Sequence, residues 1–275
     1  MTYFLDFRTS PVGGAVNQFP QLYDVDGTGQ NWTLIPPAQV PGRVSGKSVL
    51  FGVHGFNVSQ SHGLASLGTL GQYLNLTSAA LFIGVLWPGD AVIPIVDYPF
   101  EGGVAIQCGK LLANFCNNSC APAQSLSFAS HSLGARLVLQ AVAGLTRKAQ
   151  AMCLTAAAIN RDCLETEYAD AAQNCQRISL LASREDYVLK VAFTVGDPFA
   201  DILHDDHTPF QPALGSEGPP TPAPPQVLPP WQISDKGAAG DYGHSDYMPS
   251  PGSSKWQRVA DFMKHAFLGQ PQSWP

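Results

Sequence analysis

The chain has 275 residues, enough for one α/β domain around a single large core. Apolar residues make up 45% and charged residues only 13%, roughly half the usual charged share, so the surface is built mostly from neutral polar residues, Gly and Pro. The net charge is −6 and the 15 Lys and Arg form no basic run, which speaks against a nucleic-acid groove or an anionic membrane patch, since both need clustered positive charge.

The N-terminal stretch MTYFLDFRTS has no basic head followed by a long apolar run, so it does not read as a secretory leader. No segment carries the roughly 20 apolar residues of a membrane span. A cytoplasmic protein is expected, with export left open. Five short apolar runs follow, without strict alternation, as expected of strands covered on both faces. They are Ser48 to Val53, Ala80 to Leu86, Ser125 to Ala129, Ala151 to Ile159 and Ile178 to Ala182. Helical spacing of apolar residues separates them: Gly102 to Phe115, Leu133 to Leu145 and, closing the chain, Trp256 to Phe267. Such alternation predicts a mostly parallel central sheet flanked by helices, in one domain spanning residues 1–275. Residues 193–230 read as an excursion from that core, lid-like or loop. Their last part, from Gly215 to Pro230, is too rich in proline for helix or most strand. The six cysteines are irregularly spaced, and both buried thiols and a pair of disulfides fit them.

The chemistry centres on Ser130-His131-Ser132-Leu133-Gly134, which ends a predicted strand and opens a predicted helix. That is the setting of a nucleophile elbow, in which a serine on a tight turn lifts its hydroxyl above the sheet. Ser130 stands where the pattern has its first glycine. An ordinary turn with a serine helix cap has the same composition. His54-Gly55-Phe56-Asn57 also ends a predicted strand. The Phe56 and Leu133 N–H groups are the candidates for an oxyanion hole. A serine needs a base that titrates near neutral pH. His244, in the Gly-rich segment 240–246 before the last helix, stands in the chain position expected of that base. His131 is beside the serine, and His62 and His265 lie in helical patterns. Two carboxylates compete to orient the imidazole: Asp186 after the fifth strand, and Asp162 after the fourth. Trp87, in Trp87-Pro88-Gly89-Asp90 at the end of the second strand, joins His54, Asn57 and His131 as candidate substrate contacts. His204-Asp205-Asp206-His207 has metal-ligand types but no evident third ligand, so no metal and no cofactor are expected.

The VHGFN, LWPGD, SHSLG, SREDYVL and GHSDY segments together resemble a bacterial family of α/β-hydrolases of unknown function, DUF900, over roughly Ser48 to Met248. The resemblance implies an α/β-hydrolase fold and a Ser132–Asp186–His244 triad. It implies no defined physiological substrate, and the proline-rich excursion departs from the family's pattern. The expectation is a serine esterase acting on a small uncharged ester, with lipase, thioesterase, amidase or a non-catalytic binding module as the alternatives. A monomer or homodimer is expected.

Overall fold

The computed structural model describes residues 2–26, 29–90, 94–190, 212–229, 242–250 and 252–269, with the side chains of 94–101 outside that description. A nine-stranded sheet runs through them in the order β3-β2-β1-β5-β4-β6-β7-β8-β9. Its centre follows the sequence expectation closely. β4 (Ser48–Val53), β5 (Ala80–Leu86), β6 (Ser125–His131), β7 (Ala151–Thr155) and β8 (Ile178–Leu181) are all parallel to their neighbours. These strands are covered on both faces, which is why they lack the strict apolar–polar alternation of half-solvated strands.

The fourth strand is shorter than expected. It stops at Thr155 because Ala156 takes a φ of +44°, a conformation that no strand can continue. Residues 156–159 instead line the turn beneath Ser132, where the Ala158 N–H donates to the Ser132 carbonyl at 3.2 Å.

Three strands precede these, and no sequence signal marked them. β1 (Thr2–Arg8) lies parallel to β5 and antiparallel to β2 (Val16–Val25), which pairs antiparallel with β3 (Trp32–Ile35). β2 carries Pro20 and is only partly buried, so it lacks an apolar run. The proline is tolerated because the register shifts here: Asp6 faces Gln21 but Arg8 faces Val16, so Pro20 falls in the irregular stretch between the paired positions.

Helices cover both faces. On one side lie α1 (Val40–Val44), α3 (Pro94–Ser119), α4 (Gly134–Ala143) and α5 (Ala169–Gln173). Val44, Leu112, Leu137 and Ala171 from these helices pack with Phe51, Val53, Ile83 and Phe128 of the sheet. The opposite side holds α2 (Gln60–Leu74) and the C-terminal helix, which we number α7 (Lys255–Leu268). Leu67, Leu70 and Leu74 of α2 and Val259, Phe262 and Met263 of α7 pack there with Phe4, Leu50 and Phe82. Ser59 caps α2 and Asn75 ends it with a φ of +42°.

The proline-rich stretch has more structure than its composition suggested. Its described part begins with a short helix, α6 (Leu214–Glu217), and ends in a two-residue strand, β9 (Val227–Leu228), added parallel to β8. The Leu214 and Gly215 amides donate to the Ile159 and Ala157 carbonyls, so this part lies against the sheet's far end. The lid expected within residues 193–230 otherwise falls on residues 193–211, outside the described residues. All six cysteines are free and buried. No helix among the described residues is long and apolar enough to cross a membrane.

Leu67 has no exposed surface and sits at the centre of the α2 cluster. Leu67→Ala is predicted to lower the unfolding free energy in urea titrations by about 2–5 kcal/mol, the cost of a cavity in a core that cannot collapse around it. A loss under about 1 kcal/mol would show that this face is loosely packed.

Candidate active site

Ser132 occupies the turn between β6 and α4 with a φ of +54°, a left-handed conformation uncommon for a residue with a side chain. Backbone contacts hold it there. Its N–H donates to the Thr155 carbonyl at 3.0 Å, and its own carbonyl accepts from Ala135 and Ala158. The turn also presses against the loop after β4. A side chain at Gly134 would put its Cβ 2.5 Å from the His54 carbonyl oxygen, and one at Gly55 would meet the Ser132 Cβ at 2.9 Å. Both glycines are therefore required by close approach, which is the packing expected of a strand-to-helix elbow.

His244 opens a single 3-10 turn, His244–Tyr247, more than a hundred residues further on. Its Nε2 is 2.9 Å from Ser132 Oγ and its Nδ1 is 2.8 Å from Asp186 Oδ2. An ionised carboxylate can only accept, so Nδ1 carries the proton and, in the neutral ring, Nε2 is left to accept from the serine hydroxyl. Asp186 is fully buried, and its other oxygen accepts from the Leu189 N–H at 3.0 Å. Of the two carboxylates in contention, Asp186 is the one beside the imidazole. Asp162 lies in the turn after β7, its carbonyl accepting from Glu165 and Thr166.

Two further groups fix the backbone of His244: Asp246, which the sequence did not single out, and His131, which it marked only as a substrate contact. Asp246 Oδ2 accepts from the Gly243 N–H at 2.9 Å and from Lys255 at 3.3 Å, while Oδ1 accepts from Ser253 at 2.9 Å. Burial pushes the Asp246 carboxyl up, but these donors together outweigh it and hold it below the usual range. The turn is thereby tied to the start of α7. From the other side, the His131 Nε2–H donates to the His244 carbonyl at 2.7 Å, with the two rings 4.7 Å apart. The side chain before the serine thus grips the loop that carries the imidazole.

The remaining predicted contacts lie around the Gly55 loop. Phe56 is partly buried, and Leu133 stands at the N-terminal end of α4, where amides lack intrahelical partners. Asn57 is exposed with a φ of +56°, and its N–H donates to the Gly89 carbonyl at 2.6 Å. His54 and Trp87 are both buried, their rings stacked with centroids 5.7 Å apart. The Trp87 amide donates to His54 Nε2 at 3.3 Å, and its indole N–H donates to the His54 carbonyl at 2.9 Å. The amide can only donate, so the other ring nitrogen, Nδ1, carries the His54 proton and donates to the Gly55 carbonyl. An open cleft of about 760 Å³ adjoins His54, Gly55, His131 and Ser245, walled by Val58, His62, Met248 and Trp256. Among the described residues, no Asp, Glu, Lys or Arg lines it. Among the described residues no group of His, Cys, Asp and Glu could hold a metal ion, and His204 to His207 lie outside them.

Burial drives both His54 and His131 down from 6.5 to about 3, with Arg8 adding to the effect at His54 and His244 at His131. The unfolded chain therefore binds more protons than the folded one between about pH 6.5 and pH 3. Stability rises with pH across that window and is lost on acidification. The melting temperature is predicted to fall steadily from pH 7 to pH 4, and less steeply in His131→Gln, whose amide can still donate to the His244 carbonyl. Equal slopes in the two proteins would contradict the burial of a neutral ring at position 131.

A sequence model describing an alpha/beta hydrolase of unknown function, DUF900, matches residues 41–203. That stretch holds β4 to β8, the serine turn and Asp186. No curated protein matches the chain. Among solved structures, two forms of Est2, a thermophilic esterase from the Planctomycetes species Thermogutta terrifontis, are similar at low identity. The propionate-bound form is 9% identical, with 82% of this chain and 85% of that one covered at a TM-score of 0.42. The native form is 8% identical, with 91% and 87% covered at a TM-score of 0.43. With more than half of its length matched by the family's model, the chain belongs to the DUF900 family of alpha/beta hydrolases.

Proposed function

We propose that the chain is a carboxylic ester hydrolase that works through Ser132, His244 and Asp186 and a covalent acyl-enzyme. The observation that carries this reading is the hydrogen-bonded line from Asp186 Oδ2 through the His244 ring to Ser132 Oγ, at 2.8 and 2.9 Å, on a left-handed turn. A buried carboxylate, an imidazole and a hydroxyl in that order have one chemical consequence: the hydroxyl can lose its proton as it attacks.

In the first step Ser132 Oγ adds to the ester carbonyl carbon while His244 Nε2 takes its proton. Asp186 stabilises the imidazolium so formed. The negative oxygen of the tetrahedral intermediate is held by the Phe56 and Leu133 amides. The imidazolium then protonates the leaving alcohol, and the ester C–O bond breaks. Water, giving its proton to the same ring, attacks the acyl-enzyme and releases the acid. No cofactor enters either step.

The lack of Asp, Glu, Lys and Arg among the described residues lining the cleft beside Gly55 and His131 supports a small neutral ester as substrate. A lipase, thioesterase or amidase would use the same residues, and a series of acyl and leaving groups separates them.

Turnover of p-nitrophenyl esters from acetate to octanoate tests this reading. Short chains are predicted to be preferred. Ser132→Ala is predicted to lower kcat by at least about a thousandfold, with melting unchanged. Wild-type turnover in folded Ser132→Ala would overturn the mechanism.

A further inference from the structure

We infer that Arg8 and Asp90 are positioning residues, a buried clamp that sets where the Phe56 amide points, so that their loss lowers turnover more than binding or stability. The inference rests on the reading of Phe56 as an oxyanion donor, and it adds two residues from outside the triad and its turns.

Arg8 ends β1, and Asp90 lies four residues beyond β5. Their ion pair closes at 2.6 Å between Nη1 and Oδ1, with both side chains at most 5% exposed. The other arm of the guanidinium donates from Nη2 to the Val58 carbonyl, also at 2.6 Å. Val58 is two residues past Phe56. A single planar fork thus spans the loop after β4 and the loop after β5, a geometry that guanidinium has and ammonium lacks.

The surroundings lock the same segment from both ends. The Asn57 N–H reaches the Gly89 carbonyl, next to Asp90. Asp6 accepts from the Arg8 N–H at 3.0 Å and from Gln60, the first residue of α2, at 2.8 Å. Gly55 is packed on Ser132 and His131. Phe56 therefore sits between one contact that fixes the loop against the serine turn and others that fix it against β1 and the end of β5.

A role in stability alone does not account for the pair. Arg8 Nε and Asp90 Oδ2 are buried with no hydrogen-bond partner among the described residues. An ion pair that leaves polar atoms unsatisfied is a poor stabiliser, and an apolar pair of similar volume generally replaces it without loss. Here the guanidinium also accounts for the Val58 carbonyl, which an apolar pair could not hold.

Three variants test the clamp, with kcat and KM measured on p-nitrophenyl acetate and melting followed in parallel. Arg8→Lys retains the charge beside Asp90 but not the fork. It is predicted to melt close to wild type, keep KM within about threefold and lose roughly ten- to a hundredfold in kcat, somewhat less than deletion of an oxyanion donor. Arg8→Met combined with Asp90→Leu is predicted to melt as the wild type does or higher, with the same loss of kcat. Asp90→Leu alone, which strands a buried guanidinium, is predicted to melt lower than the double variant. Wild-type kcat in either Arg8→Lys or the double variant overturns the clamp. If activity depends on Ser132 while these variants are unaffected, the clamp alone fails; if activity survives Ser132→Ala, the clamp falls together with the function it serves.

Discussion

The hydrogen bond from the Ser132 amide to the Thr155 carbonyl holds a serine in a left-handed turn, and most of what surrounds the candidate site is arranged about that turn. The conformation is costly for any residue with a Cβ, by about 1–3 kcal/mol, and persists only where neighbours over-determine it. Here they do. The Ala158 amide reaches the Ser132 carbonyl from below, Gly134 lets α4 meet the His54 carbonyl, and Gly55 brings the next loop against the serine itself. β7 ends where it does because residues 156–158 are used to support this turn rather than to extend the sheet.

Parallel strands explain how distant residues reach one place. Gly55 follows β4, Asp90 follows β5, Ser132 follows β6 and Asp186 follows β8, each beyond the C-terminal end of its strand. In a parallel sheet those ends lie along one edge, so the chain delivers its polar groups there after each pass through the core. His244 comes from a different kind of element, a 3-10 turn. Asp246 ties that turn to the start of α7, and His131 ties it to the end of β6. The buried polar groups thus serve mainly to fix loops, while the apolar layers on either face fix the strands.

How legible each part was in the sequence follows from the same division. β4 and β5 could be read to the residue, because strands covered on both faces are apolar throughout and end at glycine-rich turns. Ser132 and His244 were read from residue type and chain order, with Asp186 and Asp162 both in contention as the acid; Ser132, His244 and Asp186 lie within hydrogen-bond reach along one line. β1 to β3 were invisible, since β2 is half solvated and interrupted by Pro20, and the apolar run of β1 is broken by Asp6 and Arg8. The roles of Arg8, Asp90 and Asp246 depend on partners in other elements, and no local spacing encodes those. Asp246 left a faint trace in its distance from Gly243, three residues, the reach of a carboxylate back to a free amide at the start of a turn. Trp87 follows β5 on the face where ligands bind in such sheets, a position that fits a pocket wall and core packing equally; it is fully buried against His54, whose carbonyl satisfies the indole N–H.

Labelling the intact protein with a fluorophosphonate and mapping the modified peptide tests the central claim most directly, because that reagent reacts with a serine only when a neighbouring base has activated it. The account predicts a single adduct on Ser132, lost when the His244 ring is removed by His244→Ala. An unlabelled protein, or an adduct at another serine, would contradict it.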